Sequence, residues 1–301
     1  MLICNRMWRS IPLIVIFAAC AFSQAPQDPF TVFGGDGARA DLDAIVSRMA
    51  EADVIFLGEL HDDSVGHQIE YEIFRRLVEK YNGGRKVVLS MEMFERDVQI
   101  VLDEYLGGMI TESHFLLSSR AWGNYKTDYR PLVELAKERS IPVVAANAPR
   151  RYVNMVSRNG RQVLDRLSPR AKEWLPPLPY RPASEAYAAK FRALMGESRE
   201  SKMGLGNILD SQALWDATMA HSIARVLENE KNPLVVHLNG GFHTESRLGT
   251  VEQLLGYRPQ ARIVVVTIRS ENDFRTFDPQ RHKGIGDFVI LTDAAAPRSQ
   301  R

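Results

Sequence analysis

The stretch Val54-Ile55-Phe56-Leu57-Gly58-Glu59-Leu60-His61-Asp62-Asp63 opens on an apolar run, breaks at a glycine and ends on polar groups. A short run of this kind, closed by glycine, predicts a strand buried on both faces. Beyond it Ile69, Ile73, Leu77 and Tyr81 recur every fourth residue, with Glu70, Arg75, Arg76 and Glu79 between them. That spacing predicts a helix that lays one stripe against a sheet and turns the charged residues outward. Asn82-Gly83-Gly84 then stops the helix before the next apolar run begins at Lys86.

The same unit recurs along the chain. Apolar runs stand at Lys86 to Met91, Val143 to Ala146, Leu234 to Leu238, Arg262 to Ile268 and Phe288 to Thr292, most of them separated by helical periodicities. The pattern predicts an α/β fold with a mostly parallel central sheet and helices on both faces. Between Arg150 and Leu209 no strand pattern occurs. A proline-rich stretch from Leu175 to Pro182 is followed by a helix-like segment from Ala183 to Met195. The expected organisation is one domain over residues 30–293 with a helical insertion at about 150–209, and a loose tail, residues 294–301, that lacks apolar anchors.

Composition narrows the function. The 301 residues carry 38 Lys plus Arg against 37 Asp plus Glu, which leaves no positive surplus to neutralise a phosphate backbone, so nucleic acid is not an expected partner. Both cysteines, Cys4 and Cys20, lie at the N-terminus. A thiolate metal site or a cysteine nucleophile in the folded body is thereby excluded.

Arg6 and Arg9 precede an apolar stretch from Ile11 to Ala19, the pattern of a bacterial secretory leader over residues 1–19. Nine helical residues span about 14 Å, about half of a hydrocarbon core, so the stretch is an address rather than a permanent span. Phe17-Ala18-Ala19-Cys20 resembles a lipobox, predicting lipidation at Cys20; small residues up to Ser23 leave cleavage after Ser23 as the alternative. Loss of Arg6 and Arg9 takes the net charge from +1 to −1. Both routes lead out of the cytoplasm, to a periplasm-facing lipoprotein of the cell envelope or to a secreted or soluble periplasmic protein.

In open α/β sheets the ligand site forms at the carboxyl ends of the strands. Here those ends read Gly58-Glu59-Leu60-His61, Glu92, Asn147 and Gly240-Gly241-Phe242-His243. A single Gly-x-x-His is also what an ordinary turn histidine produces; two copies in the same strand context point to two imidazoles over one edge. With Glu92 supplying oxygen, His61 and His243 make a donor set suited to zinc, manganese or iron. Glu92 follows an apolar strand where a buried carboxylate needs a partner, and a raised pKa would suit it to acid–base work. Glu59, beside His61, is expected to orient rather than ligate. His67 near the following helix start could overhang the same edge, and Asn147 and Arg150 are placed to bind a ligand, Arg150 through a carboxylate. Gln212 and Asp216 stand one turn apart on the helix from Asn207 to Asn229, facing either solvent, the insertion or the site.

Several of these segments together resemble the ChaN-like haem-binding uptake family, within a superfamily that includes the TIKI and TraB proteins and, more distantly, the erythromycin esterases. The resemblance rests on Leu57 to Asp62, Met91-Glu92-Met93-Phe94-Glu95-Arg96-Asp97-Val98-Gln99, Tyr129-Arg130-Pro131-Leu132 and Ala146-Asn147-Ala148-Pro149-Arg150. It continues through Gln212, Trp215-Asp216, Thr218-Met219-Ala220 and Gly240 to His243. It implies an outer-membrane or envelope lipoprotein of iron uptake that holds haem between two protomers through an axial tyrosine. Leu209 stands where that phenol is expected, and leucine cannot ligate iron; Tyr180, Tyr187, Met195 and Met203 are the candidate substitutes. From the TIKI side the resemblance implies a divalent-metal-dependent hydrolase using His61, His243 and Glu92, with Glu59 assisting. A third reading keeps the fold as an interaction module alone.

Overall fold

The computed structural model describes residues 28–81, 83–195 and 205–300. The expected leader with Cys20, together with Met203, lies outside the described residues. The chain begins with a small hairpin, β1 (Phe30–Gly34) and β2 (Arg39–Ala40), followed by α1 (Leu42–Arg48). Next come β3 (Val54–Glu59), α2 (Ser64–Tyr81), β4 (Val87–Glu95), α3 (Gln99–Leu106) and α4 (Glu112–Ser119). A π-turn at Tyr125–Tyr129 leads into α5 (Arg130–Glu138) and β5 (Val143–Asn147). Helices α6 (Arg150–Asn159), α7 (Pro169–Lys172), α8 (Glu185–Met195) and α9 (Leu205–Asn229) precede β6 (Leu234–Gly240). The chain closes with α10 (Thr250–Tyr257), β7 (Ile263–Glu271), α11 (Pro279–His282) and β8 (Phe288–Asp293).

One sheet runs in the order β2-β1-β8-β7-β3-β6-β4-β5. The six strands from β8 to β5 are parallel, matching the six expected runs, and the unexpected β1 pairs antiparallel to β8 at one edge. Side chains alternate across β3 as a pleated strand requires. Ile55 and Leu57 join a core with Ile45, Ile73, Leu77 and Leu132, whereas Val54 and Phe56 join the opposite core with Ile223 of α9 and Leu254 of α10. Both faces are therefore covered, which is why the strand sequences lack polar alternation.

Between residues 150 and 209 the described chain is helix and 3-10 turn, without strand. Tyr152, Val156, Leu164, Leu175 and Tyr180 pack there on Ala213, Leu214 and Ala217 of α9 as a separate small core.

Two expectations are corrected. Glu70, expected on the outer side of α2, is fully buried, because His67, Glu70 and Phe74 form a second inward stripe at three- and four-residue spacing. The expected loose tail is held as far as Ser299 by hydrogen bonds. Ser64 Oγ donates to the Pro297 carbonyl at 2.6 Å, Ser299 N–H to the Asp62 carbonyl at 2.9 Å and Ser299 Oγ to Asp128 at 2.8 Å.

Candidate functional site

Because β6 lies between β3 and β4, Glu59 registers against Gly240 and Met91 against Leu238. Glu59 and Gly240 thus end neighbouring strands at one edge, Glu92 stands just past the last β4–β6 pair, and Asn147 extends the row, paired with Glu95 at the end of β4. A cavity of about 930 Å³ opens over this edge, with Trp122, Trp215 and Phe242 among its apolar walls and His61, Glu92 and His243 on its floor.

Gly240 is required by the space it leaves. A β-carbon there would lie 2.8 Å from His61 Nε2 and 3.8 Å from Glu92 Oε2. The ring and the carboxylate therefore face one point.

His61 Nδ1 lies 2.6 Å from Glu59 Oε1, which also accepts the Tyr129 hydroxyl at 2.7 Å. A carboxylate on Nδ1 fixes the proton there and leaves the Nε2 lone pair for the cavity. Trp122 stands edge-on to the ring, with centroids 5.0 Å apart.

His243 is held in the same way from another element. Its Nδ1 is 2.8 Å from Asp216 Oδ1 on α9, an oxygen that also accepts Thr250 Oγ1 at 2.7 Å. Its Nε2 is 3.9 Å from Glu92 Oε1. Burial opposes a charge on this imidazole, but Asp216 and Glu92 outweigh it and raise its pKa to about 9. Burial also pushes Glu92 upward, offset in part by His243 and by the Gly240 N–H, which donates to Oε2 at 2.7 Å. Two imidazoles, each backed by its own carboxylate, thus flank a third carboxylate. The proton on His243 supplies the positive charge that these buried acids need, a place that a metal ion could also fill.

The donor atoms of Glu59, His67 and Glu70 all lie within 4.8 Å of one another, a compactness that His61, Glu92 and His243 do not share among the described residues. His67 does not overhang the main cavity. Its Nδ1 lies 3.0 Å from Glu70 and 3.3 Å from Glu59, and its Nε2 is 3.5 Å from Asp128, at the floor of a separate cavity of about 690 Å³. Burial opposes its charge, yet Glu59 and Glu70 raise its pKa to about 11.

Asn147, Arg150 and Gln212 line the main cavity, Arg150 from an exposed position. Asp216 stands behind His243 instead of in the wall, 1% exposed. Leu209 is half-buried and does not line the cavity. Nor do the proposed substitutes: Tyr180 is buried with its hydroxyl on the Asp210 carbonyl, Tyr187 packs behind Phe242, and Met195 projects from the end of α8. Sequence reasoning passed over Trp122, in a loop without periodicity, and the role of Tyr129, although the latter lies within a segment that carried the resemblance.

The family described as haem-binding uptake, Tiki superfamily, ChaN, matches residues 45–254. Among solved structures, ChaN of Campylobacter jejuni, described with cofacial haem binding, aligns with a TM-score of 0.67 at 18% identity, over 88% of this chain and 97% of that one. A Bacillus cereus protein aligns with a TM-score of 0.51 at 12% identity, over 87% and 94%. An erythromycin esterase mutant in its open conformation follows at 0.46 and 11% identity, over 88% and 83%. No curated protein matches the sequence. At these identities the structural likenesses speak for the fold, whereas the sequence match spans more than half of the chain: it belongs to the haem-binding uptake, Tiki superfamily, ChaN family.

Proposed function

We propose that the protein is a haem- or iron-binding lipoprotein of the bacterial cell envelope, anchored by lipid at Cys20 and holding its ligand in the cavity above Gly240. The observation that carries this reading is His61: its Nδ1 is tied to Glu59 and its Nε2 is turned to a cavity walled by Trp122 and Trp215. A neutral imidazole oriented by a carboxylate is a strong axial donor for haem iron. The cavity volume is also in the range of small-molecule sites. These residues fit haem with His61 as the donor, in place of the phenol that Leu209 does not provide. Bound haem would supply the iron; the chain would hold the His61 Nε2 lone pair in place, with Trp122 standing edge-on to that ring. Leu194, 68% exposed beside the cavity, is an apolar surface that a second copy would cover.

Haemin titrated into the purified protein should give a saturable absorbance band at about one haem per protomer, lost or shifted in His61→Ala. Absence of any saturable band in the unaltered protein would remove the reading. The anchor is tested separately, by finding an acylated Cys20 at the mature N-terminus in the membrane fraction; a soluble chain beginning after Ser23 would replace it with a periplasmic protein.

A second reading is favoured by Glu92, buried with a raised pKa between the two oriented imidazoles. His61, His243 and Glu92 would hold a divalent ion that supplies Lewis acidity for hydrolysis. Glu92 would hold the transferred proton and Glu59 would keep His61 in its tautomer. Elemental analysis should then show metal in the unaltered protein and its loss in the His61→Ala, His243→Ala double variant; equal content in both would end this reading.

A further inference from the structure

A second cavity, of about 1070 Å³, lies further along the same face of α9. Ile208, Gln212 and Trp215 line the first cavity, while Ser222, Arg225 and Val226 line this one, continuing the three- and four-residue spacing. The stretch from Trp174 to Leu178 lines it from the inserted segment.

Arg96 stands in its wall, in the 3-10 turn that follows β4, and is only 8% exposed. Its Nη1 donates to the Leu175 carbonyl at 3.1 Å and lies 3.3 Å from His221 Nδ1. Among the described residues no carboxylate pairs with it. The acids on either side are engaged elsewhere: Glu95 pairs with Arg120 at 2.8 Å, and Asp97 with Arg120 and Arg151. Nε and Nη2 make no hydrogen bond among the described residues. A buried guanidinium without a counter-charge is costly, and buried charges are ordinarily paired. Arg225 adds a second positive charge close by, so that burial together with the two arginines drives His221 down to about 4 and keeps it a neutral acceptor.

The remaining wall selects among anions. Trp174, Pro176, Leu178 and Val226 present apolar surface, while Asp165, Glu173, Glu228 and Glu230, against the single lysine Lys172, bring negative charge that disfavours a dianion such as phosphate. We propose that this cavity is a second ligand site, for a monocarboxylate with an apolar body, the carboxylate held by the fork of Arg96 beside Arg225 and the body against Trp174 and Pro176. A planar fork with two free donor positions matches the two oxygens of a carboxylate.

The probes are sodium benzoate, neutral benzamide and inorganic phosphate, each titrated into the full chain by calorimetry and by thermal unfolding. Benzoate should bind saturably and raise the unfolding midpoint, while benzamide and phosphate do neither. Arg96→Met should weaken benzoate by about tenfold or more, the loss of a charged hydrogen bond. Arg225→Gln should weaken it less, and His61→Ala, in the other cavity, should leave it unchanged. Because Arg96 also holds the Leu175 carbonyl, Arg96→Lys keeps a charge there without the fork and should likewise lose affinity; if Arg96→Met fails to fold, Arg96→Lys and Arg225→Gln decide. Absence of benzoate binding, equal binding by the Arg96 variants, or phosphate binding as tight as benzoate would overturn the proposal.

Discussion

His61 Nε2 occupies the space that any side chain on Gly240 would need, 2.8 Å from the position of its missing β-carbon. Gly240→Ala should therefore push the imidazole off the strand end or spread β3 from β6. Overpacking of this kind costs about 1–3 kcal/mol, readable by urea denaturation, and haemin binding should weaken with it. A variant with unchanged stability and unchanged haemin affinity would show that the ring is not confined there.

Asp216 holds His243 Nδ1 and the Thr250 hydroxyl with one oxygen, and its other oxygen is buried without a hydrogen bond among the described residues. In Asp216→Asn the carbonyl can still take Thr250, but the counter-charge is gone. The pKa of His243 should fall from about 9, followed through its ring protons by NMR. Stability should drop by about 3 kcal/mol, the lower end for breaking a buried pair, because His243 can release its proton. A His243 titration equal to that of the unaltered protein would refute the pairing.

Two other histidines give opposite pH dependences. Burial, aided by the charge on His243, lowers His237 from 6.5 to about 3, so the folded state disfavours its proton. Its contribution to stability is present above pH 6.5 and is lost as pH falls towards about 3. His67 is raised from 6.5 to about 11, so its contribution is present below pH 6.5 and is lost as pH rises through about 11. Urea denaturation across pH should show His237→Gln with a shallower loss on the acid side and His67→Gln with a shallower loss on the alkaline side. Curves parallel to the unaltered protein would contradict the assigned environments.

Leu209→Tyr restores a phenol at the position where the family resemblance expects one. Since Leu209 does not line the main cavity, the variant should bind haemin with the same visible spectrum as the unaltered protein. A new phenolate-to-iron band would show that α9 presents this position to the ligand.

The sequence disclosed what depends on local pattern. Six parallel strands announced themselves as apolar runs because both faces of the sheet are covered. Phe30–Gly34 and Arg39–Ala40 did not, since a short antiparallel edge hairpin has neither the length nor the continuous apolarity of the inner strands. At the site, the duplicated Gly-x-x-His and Glu92 were legible because strand ends converge by topology. The directions of Asp216 and His67 were not, because they depend on how α9 and α2 are rotated against the sheet, a tertiary property that spacing alone does not determine. Glu70 was misplaced for the same reason: a charged residue among apolar ones looks solvated until the imidazole that neutralises it is seen three residues away.

Ser299 grips Asp128, Asp128 backs His67, and His67 braces the carboxylate that orients His61. Residues 297–299 are thus the rear wall of the chemistry at the front. An insertion beside Ser299 would pull on that wall, whereas one in the turn between β1 and β2 would leave it standing.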